Sequence, residues 1–127
     1  MPSSTGFLAR PAEAGQTTAE LALLFPVVLL LALVLVQAAL VLRDDLVLTD
    51  AAREAARAAS LDPDPAEAER AASAVLPGVT VRSGPRPAVG GLVTVHVTYR
   101  SATTLPLVGP LLPDPLLEAG AAMRVER

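Results

Sequence analysis

Gly15-Gln16-Thr17-Thr18-Ala19-Glu20-Leu21-Ala22-Leu23-Leu24-Phe25-Pro26 leads straight into an apolar run that ends at Leu42. From Leu21 to Leu42 there is no charge, and Gln37 is the one plainly polar side chain. The run is 22 residues long, against the roughly 20 that an α-helix needs to cross the hydrocarbon of a bilayer. A soluble chain of 127 residues has too little core to bury every side of such a helix, so one stripe would face water. Residues 16–42 are therefore read as a transmembrane helix.

Glu20 stands at the mouth of that helix, where a carboxylate costs free energy unless a cation meets it. Cleavage between Gly15 and Gln16 would give Gln16 a free ammonium and make Glu20 the fifth residue of the shortened chain. In a helical bundle the ammonium of one subunit would then pair with the carboxylate of its neighbour. This is the pattern of type IV prepilins. The run from Gly15 to Pro26 resembles the start of TadE-like proteins, the minor pilin-like subunits of the tight-adherence (Flp) pilus system. Ala51-Ala52-Arg53-Glu54-Ala55-Ala56-Arg57-Ala58-Ala59 resembles a second block of the same family. The likeness covers most of Gly15 to Ala59; beyond it, only the order of elements agrees. It implies processing at Gly15–Gln16 by a prepilin peptidase and charge pairing through Glu20. The implied partners are the membrane, other pilin-like subunits and the tight-adherence secretion machinery, with a surface pilus as the place of the subunit after assembly. The plainer alternative is a single-span anchor whose glycine and glutamate stand there by chance.

Composition narrows the rest. Hydrophobic residues make up 52% of the chain and aromatics only 2%, so the apolar mass is Ala, Leu and Val, which suits helices and a modest sheet. The net charge of −3 is too weak to imply a nucleic-acid partner. All ten basic residues are Arg, which removes pili cross-linked through lysine isopeptide bonds. With no Cys there is no disulfide to hold an exported part together.

Residues 1–15 are read as a leader peptide: Met1 to Ala14 is Ser/Thr/Gly/Pro/Ala-rich, without apolar periodicity, and reads as disordered. A Sec signal peptide is the rival reading. Its apolar region usually runs about 7–15 residues, shorter than this one, although Val36-Gln37-Ala38 would pass as a weak cleavage site. Pro26 has no N–H for the carbonyl of Ala22, and its ring crowds that carbonyl, so a kink or loosened turn is expected there. Orientation is contested. Arg10 lies on the leader side and Arg43, Arg53 and Arg57 on the other, so the positive-inside count puts the C-terminal side in the cytoplasm. The resemblance implies the opposite, with residues 43–127 as a small extracytoplasmic domain.

Arg43-Asp44-Asp45 closes the span. From Leu46 to Ser60 no Pro or Gly intervenes and alanine dominates, so the helix continues as a stalk, with Asp50 and Glu54 spaced to meet Arg53 and Arg57. Asp62-Pro63-Asp64-Pro65 breaks it. Asp64 then caps a second helix with Pro65 first and Glu67 third, ending near Leu76; capping explains Asp62 and Asp64 better than a calcium site, since no further ligands follow at loop spacing. Val79 to Ser83 alternates as a strand, Gly84 to Gly91 is a turn or loop, and Leu92 to Arg100 is the clearest strand, with Val93, Val95, Val97 and Tyr99 on one face. Glu118 to Glu126 reads as a closing strand through Ala119, Ala121, Met123 and Val125. The expected fold class is α+β: a long N-terminal helix, a short helix and about three antiparallel strands, close to the minimum for a stable sheet.

No constellation points to catalysis, a cofactor or a metal. His96 is the only histidine and falls on the polar face of its strand; without Cys it belongs to no familiar zinc cluster. No nucleophile elbow is present, and Gly90-Gly91 precedes a strand, as a turn does, rather than following one as a phosphate loop would. Leu105-Pro106-Leu107-Val108-Gly109 lacks the threonine and the apolar tail of a sortase signal. The leucine-rich stretch from Thr104 to Leu117 cannot all face water comfortably; the expectation is that it covers the sheet, with a partner-binding patch as the sharper alternative. Three functions follow in order: a pilin-like structural subunit, a non-polymerising anchored binding module of an envelope or secretion complex, and a small secreted enzyme freed by signal peptidase.

Overall fold

The computed structural model describes residues 12–107 and 109–126. Two helices precede a three-stranded sheet: α1 Ala12–Leu61, α2 Pro65–Val75, β1 Thr80–Ser83, β2 Leu92–Arg100 and β3 Leu116–Arg124. The sheet is an antiparallel meander in the order β1-β2-β3. This is the expected α+β layout.

α1 is a single helix of 50 residues, about 75 Å long at 1.5 Å per residue. Between Gly15 and Gly78 the sequence offers no glycine, and between Ala12 and Asp62 its only proline is Pro26. The helix continues through Pro26. It also passes Arg43-Asp44-Asp45 without a break, so the span and the head share one rod. Most of the leader reading falls on residues 1–11, which lie outside the described residues. At residues 12–14, expected to be disordered, the backbone is already helical; the two alanines there are strong helix formers.

The last third of α1 forms the core of the head. Leu48, Ala51, Ala52, Ala55, Ala56 and Ala59 are buried and pack with Val93, Val95, Val97 and Val125. Their spacing of three and four residues makes one stripe. Asp50, Arg53, Glu54 and Arg57 lie exposed beside it. Alanine at these positions keeps the helix surface shallow, so both the sheet and α2 can seat against it. α2 contributes Ala68 and Ala72, and this is where the close helix approach offered by the alanines takes place. Asp50 and Arg53 pair at 3.2 Å, but both are exposed, and such a pair contributes little.

α1 stops where Asp62 precedes Pro63, because the residue before a proline disfavours helix. The carbonyls of Ala58, Ala59 and Ser60 near its end are met. The Asp62 N–H donates to Ala58 at 2.9 Å and the Glu126 N–H to Ser60 at 3.2 Å, while the Arg86 guanidinium donates to the carbonyls of Ala59 and Ser60. α2 begins as expected: the Asp64 carboxylate accepts the Ala66 N–H at 2.9 Å, with Pro65 opening the helix. Gly78 and Gly90 take φ of +85° and +91°, a region that other residues seldom enter, and both turn the chain into a strand.

Along β2 the valines alternate inward. Val93, Val95 and Val97 are buried, while Leu92, Thr94, His96 and Arg100 face out. β3 departs from expectation at its start. It begins at Leu116, not Glu118, because Leu116 and Leu117 continue the ladder opposite Arg100 and Tyr99. A second correction concerns the leucines after Thr104. Leu117 packs against the core, but Leu107, Leu111, Leu112 and Leu116 are exposed and do not cover the sheet, since α1 and α2 already occupy its inner face.

This packing makes the alanine stripe intolerant of size. Ala55→Leu forces four heavy side-chain atoms where one fits, a change that costs about 1–3 kcal/mol. Glu54→Leu, on the exposed side, stays within about 0.5 kcal/mol. Tyr99 is the single tyrosine of a chain without tryptophan, and it packs against the core. Its fluorescence during urea titration in detergent should show an earlier midpoint for Ala55→Leu and an unchanged one for Glu54→Leu.

Candidate functional site: the two ends of the apolar helix

At the first end, Gly15, Gln16 and Glu20 all lie within the first turns of α1 and are exposed. The Gln16 side-chain amide donates to the Glu20 carboxylate at 3.3 Å, one helical turn apart. A Cβ added at Gly15 would meet nothing within 4 Å, so no packing demands glycine there. In a helix interior glycine costs roughly 0.5–1 kcal/mol relative to alanine, and here that cost loosens the helix beside the Gly15–Gln16 bond. Pro26 removes a backbone hydrogen bond about three turns further on. From Glu20 to Leu31 every side chain is exposed. An apolar surface of that kind needs lipid or another protein around it.

The second end is built by contacts that no local pattern announces. Ser101, buried directly after β2, donates through Oγ to the Asp44 carboxylate at 2.6 Å. Its backbone N–H donates to the Pro115 carbonyl at 3.0 Å, and the Gly109 N–H to Leu105 at 2.9 Å. The Thr103 N–H donates to the Asp114 carboxylate at 2.8 Å. The 101–115 connection is thus a closed loop tied to α1 two residues beyond the apolar run. From that tie it turns back along the helix. Thr103, Leu112, Pro113 and Pro115 face Val34, Gln37, Ala38, Val41 and Leu42 across an open groove of about 550 Å³. Gln37 is 4% exposed, and neither its amide nitrogen nor its oxygen has a partner among the described residues.

The other singled-out residues have structural places. His96 is exposed on β2 between Arg82 and Gly120 in the ladder, where the missing side chain of Gly120 leaves room for its ring. Among the described residues no three His, Asp or Glu side chains gather as a metal site. The sequence reading missed Asp44, Ser101 and Arg86 as organising residues. Asp44 and Ser101 are 57 positions apart, and nothing in either neighbourhood announces the pair. Arg86 does carry a signal, since Pro85 and Pro87 hold it on a stiff loop.

Among the described residues one helix, from Gly15 onward, is long and apolar enough to cross a membrane, which fits a single-pass protein. Comparison with curated proteins and with solved structures gave no significant match. Among protein families, the model described as TadE-like protein matches residues 15–57. That span takes in the Gly15–Glu20 entry, the whole apolar run and most of the alanine–arginine block, and over it this chain is similar to the TadE-like proteins.

Proposed function

We propose that this protein is a minor pilin-like structural subunit of a tight-adherence (Flp) pilus or its secretion machine, released from its leader by a prepilin peptidase. The observation that carries the reading is the exposed Gly15–Gln16–Glu20 entry on an unpartnered apolar helix, within the segment matched by the TadE-like family. Among the described residues, Glu20 accepts from the neutral amide of Gln16. After cleavage the ammonium of a neighbour's Gln16 supplies the missing cation as apolar helices bundle. The bend expected at Pro26 belongs to the same reading, as an adjustment of the helix to its bundle. The signal-peptidase alternative is disfavoured, because a cut after Ala38 would discard Val34 and Gln37, which form one wall of the groove that the 101–115 connection faces.

Gly15→Leu tests the processing. The added side chain meets open space, so the fold is kept and the helix gains about 0.5–1 kcal/mol. In cells that carry the peptidase, the variant should accumulate as the longer, unprocessed form; unchanged processing would remove the main support for the reading.

Glu20→Ala tests the pairing. A protein that only anchors loses nothing, because an acid at the edge of hydrocarbon is a cost. In an assembly, removal of one partner of a buried pair costs roughly 3–5 kcal/mol. The variant should be cleaved normally yet be absent from the sheared surface fraction and from the purified secretion complex, in contrast to wild type. Normal incorporation sinks the pairing role.

The head is placed outside the cytoplasm in this reading, against the arginine count. Ser83 is exposed at the end of β1, and the chain has no cysteine. Ser83→Cys should react with a membrane-impermeant thiol reagent on intact cells. Labelling only after lysis means the reverse topology.

A further inference from the structure

The connection between β2 and β3 is too apolar and too exposed for a loop in water, and it hangs beside the end of the membrane-crossing helix. Leu107, Leu111, Leu112 and Leu116 all present their side chains outward, with Leu111 at 72% exposure. Leu107 is held at φ 68°, a conformation that side chains other than glycine seldom adopt. The loop does not drift free: the Ser101–Asp44 bond and the Thr103–Asp114 bond close it against α1. Beyond that closure it faces the helix from Val34 to Leu42 across the groove, so its apolar surface lies beside that of the span.

We infer that this loop is a second membrane contact, seated in the boundary between headgroups and acyl chains of the phospholipid leaflet on the head's side. The inference rests on the membrane span read above. Depth supports it. Gln37 precedes Leu42 by five residues, about 7.5 Å along the helix, and interfacial segments bury their apolar faces about 5–10 Å deep. An irregular backbone exposed to lipid is not tolerated deeper in the hydrocarbon, so the loop marks the interface rather than the membrane interior. Pro106, Pro110, Pro113 and Pro115 suit it to that place, because proline brings no N–H that must be satisfied away from water. The loop then acts as a foot: with the span it gives the head two contacts with the bilayer, fixing its tilt and its height above the membrane.

The chain has no tryptophan, so single tryptophans report depth without background. The full chain, in phosphatidylcholine vesicles brominated either near the top or near the end of the acyl chains, is compared as Leu30→Trp, Leu111→Trp and Ser83→Trp. Leu111 is exposed, so its replacement disturbs no packing; Leu116→Trp gives a second probe of the same surface. The expected result is a blue-shifted L111W emission that loses most intensity to the shallow bromines, an L30W emission that loses most to the deep ones, and an S83W emission that neither quenches. Solvent-like, unquenched L111W and L116W beside a quenched L30W overturn the foot and leave the span standing. A blue-shifted L111W that no bromolipid quenches means that protein, such as a second copy, covers the loop, and this also overturns the assignment. If L30W itself is unquenched, the spanning helix is wrong and the foot fails with it.

Discussion

The head of this protein has a core only because α1 runs through it. Three strands and an eleven-residue helix could not bury enough apolar surface alone. The stripe from Leu48 to Ala59 closes the arrangement by offering a flat, methyl-lined face to both the sheet and α2. Alanine matters here for what it lacks. A larger side chain would hold the sheet away and open gaps around Val95, whereas alanine lets the valines of β2 and Val125 reach the helix itself. Each buried valine is worth roughly 1.5–3 kcal/mol relative to exposure, and those contributions depend on that close approach.

Because the same helix also carries the apolar run, anchor and head are mechanically one body. No flexible linker separates them, and the Asp44–Ser101 hydrogen bond adds a tie two residues beyond the run. A force or displacement applied to the span is therefore passed directly to the sheet. For a subunit that packs its helix into a bundle, this coupling fixes where each head sits once the helices are in register. The α1 C-terminus is equally well secured, with its carbonyls held by Arg86 and by the chain's last residues.

Much of this was legible in the sequence because it depends on short-range pattern. The valine alternation of β2 fixed the face that turns inward, the Asp64-Pro65 pair announced the start of α2, and the uncharged run from Leu21 announced the long helix. What was not legible depends on long-range geometry. The leucines after Thr104 look by composition like a cover for the sheet, yet the alanines of α1 had already taken that place. Leu116 joins β3 only because Arg100 stands opposite it. Gln37 was conspicuous as the one polar residue in an apolar run, but its burial comes from a loop more than sixty residues away. The Gly15–Glu20 spacing was plain from the start, and in the proposed function its meaning lies in cleavage after Gly15 and in the cation a neighbouring chain brings to Glu20.

The mature N-terminus tests that meaning most directly. The protein should be purified in detergent from membranes of cells that hold the peptidase, and its first residue read by intact mass and N-terminal sequencing. The account predicts a chain that begins at Gln16, with the leader absent and the whole apolar run retained. A chain that still begins at Met1 would contradict it in favour of a simple anchor, and one that begins at Ala39 would contradict it in favour of a secreted protein.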